Sequence, residues 1–185
     1  MIPDIGTRYR LQYTEMEISQ QITRLGTEIG VWAGPTYAET GKDILAIPLL
    51  RGGIFFFAAL MPRVKCSVEM APGRTRAYRK GENNEQLENV EIQLDGVNVA
   101  GRSVLLVDDI CDSGRTLKLV SEHLRAQGAR EVRSAVLIKR EHDKSVFNPE
   151  WIGFTYYGPE WFVGFGMDDR DRFSNLPSIY TITGS

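Results

Sequence analysis

Apolar positions recur along the chain at spacings that are typical of helices and strands. One amphipathic helix is marked by apolar residues at spacings of four, three and four, namely Ile18, Ile22, Leu25 and Ile29. Nearly continuous apolar runs between turn residues predict buried strands, at 43–50, 64–71, 103–107 and 131–139. The run from Ile54 to Met61 predicts a short buried helix that ends at Pro62. Strands that alternate with helices predict an α/β fold with a mostly parallel twisted sheet flanked by helices.

Two segments depart from this alternation. Residues 72–86 are polar, contain glycine and lack periodicity, which predicts a mobile loop of functional importance. Residues 87–94 alternate between apolar and polar, which predicts a strand pairing back across that loop. After residue 150, we expect short strands around 151–157 and 161–165, a charged loop over 167–175 and a last strand near 178–182.

Composition narrows the class of protein. A chain of 185 residues is expected to form one domain. A net charge of −2, with 22 basic residues in no long block, argues against a nucleic-acid partner. Two cysteines suit a reduced thiol protein in the cytoplasm better than a disulfide framework. The N-terminal residues contain no apolar signal core, and the longest apolar run is too short to cross a membrane.

Three carboxylates and a glycine turn follow the apolar strand at 103–107. Asp108 and Asp109 come first, and residues 112–116 (Asp-Ser-Gly-Arg-Thr) then open a helix whose inward positions are Leu117, Val120 and Leu124. In a parallel sheet, ligands bind beyond the carboxyl ends of the strands. Backbone N–H groups at a helix N-terminus favour a phosphate. Adjacent carboxylates beside it suit sugar hydroxyls or a magnesium ion.

Taken alone, the aspartate pair has an equally good structural explanation, because Asp is also a helix cap and a turn former. Domains that hydrolyse ATP also end a strand in acids, but they need G-x-x-x-x-G-K-[ST], which this chain lacks. The chain also lacks G-x-G-x-x-G, H-E-x-x-H and G-x-S-x-G. His123 and His142 are too few for a histidine-rich metal centre.

The longer stretch LLVDDICDSGRT (105–116) is far more specific. It resembles the ribose-phosphate signature of the type I phosphoribosyltransferases, which bind 5-phosphoribosyl-1-pyrophosphate (PRPP) with Mg²⁺ and transfer its ribosyl group to a nitrogenous base. Segments that resemble the hypoxanthine-guanine branch in order and spacing are LLRGG (49–53), LIKRE (137–141), 151–169 and RFSNLPSI (172–179). The resemblance implies a type I phosphoribosyltransferase fold: a single domain 1–185, with a core at about 40–140 and a small hood from about 1–38 and 141–185.

The resemblance also implies roles for the residues that match the signature. Asp108 and Asp109 would hold the ribose hydroxyls and Mg²⁺, and Asp112 would act as the general base at the purine N7. The 5-phosphate would be wrapped by Asp112, Ser113, Gly114, Arg115 and Thr116. Arg51 and Gly52 would bind pyrophosphate, in a turn whose Leu50–Arg51 peptide is expected to be cis.

The purine site is implied in the same way. Lys139 would donate to the 6-oxo group, whereas a lysine at a strand end is otherwise more often a surface residue. Trp161 would stack on the base, with a core tryptophan as its structural alternative. Phe162 would contact the base edge through its backbone, and Asp168 would be a Mg²⁺ carboxylate near the pyrophosphate. Hypoxanthine, guanine and xanthine remain open as substrates.

Residues 72–86 would then close as a lid, with Arg76, Ala77 and Tyr78 at the matching positions. Ala77 departs from the family serine. Ser174 departs from the family arginine that helps to hold pyrophosphate, and Arg170 or Arg172 are the candidates to replace it. The resemblance implies a homodimer or homotetramer. Two rival functions are a non-catalytic regulator that senses PRPP or a nucleotide, and a phosphoribosyltransferase for another base.

Overall fold

The computed structural model describes residues 8–71, 73–79, 88–93 and 97–182, with the backbone alone over 73–79 and 88–93. The strands are β1 (Tyr9–Tyr13), β2 (Ile44–Leu50), β3 (Val68–Met70), β4 (Gly73–Arg79), β5 (Glu88–Gln93), β6 (Ser103–Cys111), β7 (Glu131–Arg140), β8 (Trp151–Tyr156), β9 (Phe162–Val163) and β10 (Ile179–Ile182). The helices are α1 (Glu15–Ala33), α2 (Thr36–Thr40), α3 (Ile54–Leu60) and α4 (Arg115–Ala126), with a 3-10 turn at Met61–Arg63.

The main sheet has the order β5-β4-β2-β6-β7-β8, and β3 also pairs with β2. Its central pairs, β2 with β6, β6 with β7 and β7 with β8, are parallel. Neighbouring strand residues face opposite sides of a sheet, so Leu105 packs in the apolar layer under α1 and α3 while Leu106 packs in the layer under α4. The predicted α/β fold, a mostly parallel sheet flanked by helices, is confirmed.

Helix α1 begins at a capping box. The Thr14 hydroxyl accepts a hydrogen bond from the Glu17 N–H, and the Glu17 carboxylate accepts one from the Thr14 N–H at 2.8 Å. The predicted apolar stripe is buried along the whole helix and packs on the main sheet. The start of α1 is thus fixed by hydrogen bonds, and its orientation is fixed by apolar burial.

A second, antiparallel sheet has the order β1-β10-β9. We use the word hood for these strands and the connecting residues 157–178. Two pieces that the sequence analysis assigns to the hood belong to the main layer instead: α1 packs on the main sheet, and β8 pairs with β7. Buried Phe162 and Ile179 join the hood to the same apolar core as α1, so the hood is held against the carboxyl end of the sheet.

The segment 72–86 differs from its prediction. Residues 73–79 form β4, which pairs antiparallel with β5, and β5 confirms the strand predicted at 87–94. The sequence of β4, GRTRAYR, is mostly polar, so hydrophobic periodicity did not indicate it. The backbone of Arg76–Tyr78 lies in β4, while their side chains and the rest of the predicted lid, at 72 and 80–86, are outside the described residues.

Strand β6 is longer than predicted. It continues from Val107 to Cys111 because its parallel pairing with β7 continues to the Cys111–Lys139 pair. Asp108 and Asp109 are therefore strand residues rather than turn residues. The Leu50–Arg51 peptide is cis, as the resemblance predicts. Among the described helices, none is both long and apolar enough to cross a bilayer.

Candidate active site

The turn between β6 and α4 encloses a small cavity of about 110 Å³. Its lining runs from Asp108 through the predicted phosphate turn to Leu117. The N-cap of helix α4, Gly114, offers no side-chain acceptor, and among the described first-turn N–H groups that of Arg115 donates to the Ser113 Oγ at the long distance of 3.5 Å. Partial positive charge also accumulates at this end of the helix. The geometry thus brings the predicted 5-phosphate residues together as an anion cradle.

Gly114 is required by the shape of this cradle. Its φ is +78°, in the left-handed region that L side chains avoid. A Cβ added there would lie 2.7 Å from the Phe147 Cβ and 3.3 Å from the Cys111 Sγ. Both backbone conformation and space therefore select glycine at the point where the strand turns into the helix.

Asp108 and Asp109 are enclosed at the end of β6. Burial, and then the neighbouring Asp109 carboxylate, raise the pKa of Asp108 well above its usual range. Burial also raises the pKa of Asp109. Two enclosed carboxylates favour the approach of a group that offers hydroxyl donors or positive charge.

A larger cavity of about 470 Å³ lies between β6 and the hood. The predicted site residues in its lining are Arg51, Gly52, Asp109, Asp112, Trp161, Phe162 and Asp168. The lining residues that sequence reasoning did not assign are Ile110, Arg140, Gly166 and Met167. The sheet edge and the hood thus build this cavity together.

Asp112 lines both cavities. Its side chain is 66% exposed, so the carboxylate is accessible to a molecule that spans them. The Arg140 Nε lies 2.9 Å from the Asp112 Oδ1, and the His142 Nε2 lies 3.5 Å from the same oxygen. A carboxylate in this position can receive a proton from a ligand in the larger cavity while an anion occupies the smaller one.

The sequence comparison agrees with this arrangement. The family model described as "Phosphoribosyl transferase domain" matches residues 17–170. The chain belongs to the phosphoribosyltransferase family.

Within the family, this phosphoribosyltransferase is similar to proteins named for hypoxanthine and guanine. It is 32% identical over 166 residues to a hypoxanthine-guanine phosphoribosyltransferase of Lactococcus lactis, covering 90% of this chain and 86% of the relative. It is also 32% identical over 166 residues to a hypoxanthine phosphoribosyltransferase of Escherichia coli, covering 89% of this chain and 90% of the relative.

Solved structures of hypoxanthine phosphoribosyltransferases have the same fold as this chain. A crystal structure of a hypoxanthine phosphoribosyltransferase from Staphylococcus aureus superposes with a TM-score of 0.82 at 24% identity, covering 94% of this chain and 91% of the other. At that identity the likeness concerns the fold.

The predicted purine residue Lys139 is placed differently from the other site residues of the phosphoribosyltransferase. It is buried, and its Nζ donates to the Glu141 Oε1 at 2.5 Å and to the Asn148 Oδ1 at 2.7 Å. Arg140, the next residue, lines the larger cavity instead. The sequence did contain a sign of this difference. Lys139 and Arg140 are adjacent on one strand, and consecutive strand residues face opposite sides of a sheet, so only one of the two side chains can face a given cavity.

Asp168 and Asp169 have separate environments. The Asp169 carboxylate accepts a hydrogen bond from the Tyr9 hydroxyl at 2.6 Å and pairs with Arg8. Asp168 lines the cavity, and its backbone carbonyl accepts a hydrogen bond from the Trp161 Nε1 at 2.8 Å. Of these two residues, Asp168 is therefore the one at the cavity, while Asp169 links the segment 157–178 to Arg8 and to Tyr9 of β1.

The turn after β2 approaches both β6 and the hood. A Cβ added at Gly52 would collide with the Asp109 carboxylate, and one added at Gly166 would lie 2.6 Å from the Gly52 carbonyl oxygen. The Arg51 side chain is 86% exposed and pairs with Asp171 at 3.3 Å. Among the described lining residues, Arg51 and Arg140 are the basic ones, and neither Arg170 nor Arg172 lines this cavity.

The acidic residues fit a magnesium ion that is bound together with a substrate. Within the described part of the chain, no three His, Cys, Asp or Glu side chains form a metal-binding group. Mg²⁺ is usually held by one or two carboxylates, water and substrate phosphate oxygens rather than by a closed protein cage. Asp109 and Asp168 both line the larger cavity, and Asp108 adjoins it in the smaller one.

Proposed function

We propose that this phosphoribosyltransferase transfers the 5-phosphoribosyl group of PRPP to a 6-oxopurine base, giving the nucleoside monophosphate and pyrophosphate. Support comes from the relatives, which are named for hypoxanthine and guanine. The observation that carries the proposal is that Asp112 lines both the anion cradle and the larger cavity. A ribosyl group whose 5-phosphate lies in the cradle would direct its other end towards the cavity that holds the base.

The chemistry assigned to Asp112 is proton transfer. Cleavage of the bond between ribosyl carbon and pyrophosphate oxygen is expected to pass through an oxocarbenium-like state, as in other glycosyl transfers. The incoming purine sheds a proton as it forms the new carbon–nitrogen bond, and the Asp112 carboxylate accepts that proton. In the reverse direction the protonated carboxyl would return it.

Asp108 and Asp109 would bind the ribose hydroxyls, because carboxyl oxygens accept hydrogen bonds from such donors. We further propose that Asp168 and the aspartate pair hold Mg²⁺. When bound, Mg²⁺ neutralises charge on the departing pyrophosphate. Arg51 and Gly52 would bind that pyrophosphate from the end of β2, with Arg51 exposed and able to reorient.

The base would lie against Trp161, whose ring is exposed in the absence of a ligand and lines the cavity. Phe162 would present its backbone to the base edge. Lys139 remains the residue proposed for the 6-oxo group, although its ammonium would have to exchange Glu141 and Asn148 for the purine oxygen. The polypeptide around Arg76–Tyr78 is proposed to cover the bound substrates as a lid.

We also propose a homodimer or homotetramer. Ile54 and Phe55 of α3 are 49% and 39% exposed beside the site, which supports a contact between subunits. The free thiols of Cys66 and Cys111 fit a reducing compartment such as the cytoplasm. Light scattering after size-exclusion chromatography measures the assembly directly, and a monomer at micromolar concentration would contradict it.

The proposed function is tested by following absorbance with PRPP, Mg²⁺ and each of hypoxanthine, guanine, xanthine and adenine. We expect transfer to 6-oxopurines and poor use of adenine. Asp112→Asn should lower kcat by about 10²-fold or more while the PRPP KM changes little. Failure of every purine, with PRPP still bound, would instead indicate one of the two rivals, and a second screen with pyrimidine bases separates a phosphoribosyltransferase for another base from a sensor on the same fold.

A further inference from the structure

Arg140 lines the larger cavity and makes three polar contacts there, but the proposed function gives it no role. Its Nε pairs with the Asp112 Oδ1 at 2.9 Å, its Nη2 donates to the Glu160 carbonyl oxygen at 3.0 Å, and its Nη1 donates to the Gly158 carbonyl oxygen. The guanidinium also lies 5.1 Å from the ring centroid of Phe162. One planar group thus contacts the loop before α4 and two carbonyls of the hood.

These contacts select one oxygen of the Asp112 carboxylate. Arg140 approaches Oδ1, and so does His142 at 3.5 Å. The His142 Nδ1 accepts a hydrogen bond from the Lys144 N–H at 3.0 Å, so the imidazole proton is on Nε2, which faces Asp112. Among the described residues, no hydrogen bond or ion pair reaches Oδ2, and that oxygen is left for a ligand.

The environment of Arg140 suits a fixed position. The side chain is 14% exposed, and all three guanidinium nitrogens have partners. A guanidinium presents its donors in a rigid plane, whereas an ammonium offers a single nitrogen. The orientation of the group, and through it the orientation of Asp112, is therefore coupled to the position of residues 158–160 in the hood.

We infer that Arg140 is the positioning residue of the general base. It fixes the Asp112 Oδ1 so that Oδ2 accepts the purine proton, and it does so only when the hood carbonyls hold the guanidinium in place. The inference rests on the proposed function, since it concerns the proton that Asp112 accepts during phosphoribosyl transfer.

The test is a double-mutant cycle on the full-length protein, with Arg140→Lys, Asp112→Asn and the combined variant. Arg140→Lys keeps a cation and the aliphatic stem, so it is the variant chosen to preserve the fold, and its thermal unfolding is measured in parallel. We expect kcat to fall by about tenfold or more, with the PRPP KM within about threefold of wild type. In the Asp112→Asn background the same change should lower kcat by less than about twofold, because its partner is already impaired.

The matched control is Arg133→Lys. Arg133 is on the same strand, pairs with Glu131 and lies over the rings of Trp32 and Trp151, but it does not line the cavity. Its replacement should leave kcat unchanged. Wild-type kcat in Arg140→Lys, or an equal fall in both backgrounds, would overturn the role of Arg140 alone. Absence of transfer by the wild-type protein would overturn the proposed function and this inference together.

Discussion

Replacing Trp161 separates base binding from folding. The indole is 65% exposed and lines the larger cavity, so it contributes little buried apolar area to the free protein. Stacking of a base on an aromatic ring is worth about 1–3 kcal/mol by alanine substitution, which corresponds to about 5- to 150-fold in affinity. Trp161→Ala should therefore weaken nucleoside monophosphate binding by that factor and hardly change the melting temperature.

A second variant divides the effect of Trp161 into two parts. Trp161→Phe keeps an aromatic face but loses the Nε1–H bond to the Asp168 carbonyl. Because this exposed bond is already present in the free protein, its loss removes no contact to the ligand, and affinity should fall by less than it does in Trp161→Ala. Titration calorimetry with inosine monophosphate and thermal unfolding give both quantities.

Tyr157→Ala is the control for Trp161. Tyr157 is 80% exposed in the same hood segment and is not among the residues that line the cavity. It should bind the nucleotide as the wild type does. Equal losses for Tyr157→Ala and Trp161→Ala, or a fall in melting temperature for Trp161→Ala as large as that for a buried aromatic residue, would refute the stacking argument.

Three further predictions concern other parts of the molecule. Lys139→Ala should weaken 6-oxopurine use and narrow the gap to adenine, which the ratio of kcat/KM values measures; an unchanged ratio would remove Lys139 from base selection. Burial raises the pKa of the Cys111 thiol to about 11, so at about pH 8 little of it is thiolate and mass spectrometry should show alkylation of the more exposed Cys66 first. Glu150→Ala removes the carboxylate that accepts from both the N–H and the hydroxyl of buried Ser134, and urea unfolding should show a loss of about 1–3 kcal/mol, with Glu150→Gln losing less.

Apolar periodicity predicted the elements that bury a face in the core. The apolar stripe of α1 and the apolar runs of β2, β6 and β7 are the residues that these elements bury in the core. Each of these four elements is present. Periodicity did not indicate β4, a strand of mostly polar sequence between β2 and β5, or β1, which pairs with β10 in the hood. These strands form through backbone hydrogen bonds that depend on a distant partner, which no local pattern encodes.

The candidate site also contains residues that a local sequence motif predicts and residues whose roles depend on distant partners. Residues 108–116 are contiguous, so a single sequence motif contains all of them. Arg140 could not be assigned from sequence, because its role depends on three partners, two of which, the carbonyls of Gly158 and Glu160, meet it only when the hood folds over the sheet. Lys139 is the opposite case. Sequence assigned it to the purine because an ammonium can donate to a 6-oxo group, but in the structure its ammonium donates to Glu141 and Asn148.

The two cavities differ in which part of the chain builds them. The smaller is lined by residues 108–117 alone, whereas the larger takes about half of its lining from residues 161–168 of the hood. A change in the hood can therefore alter one cavity without touching the other. Under the proposed function, exchange of this segment between relatives would change base preference while the part of the site assigned to the sugar phosphate stays the same, a route open to both natural divergence and engineering.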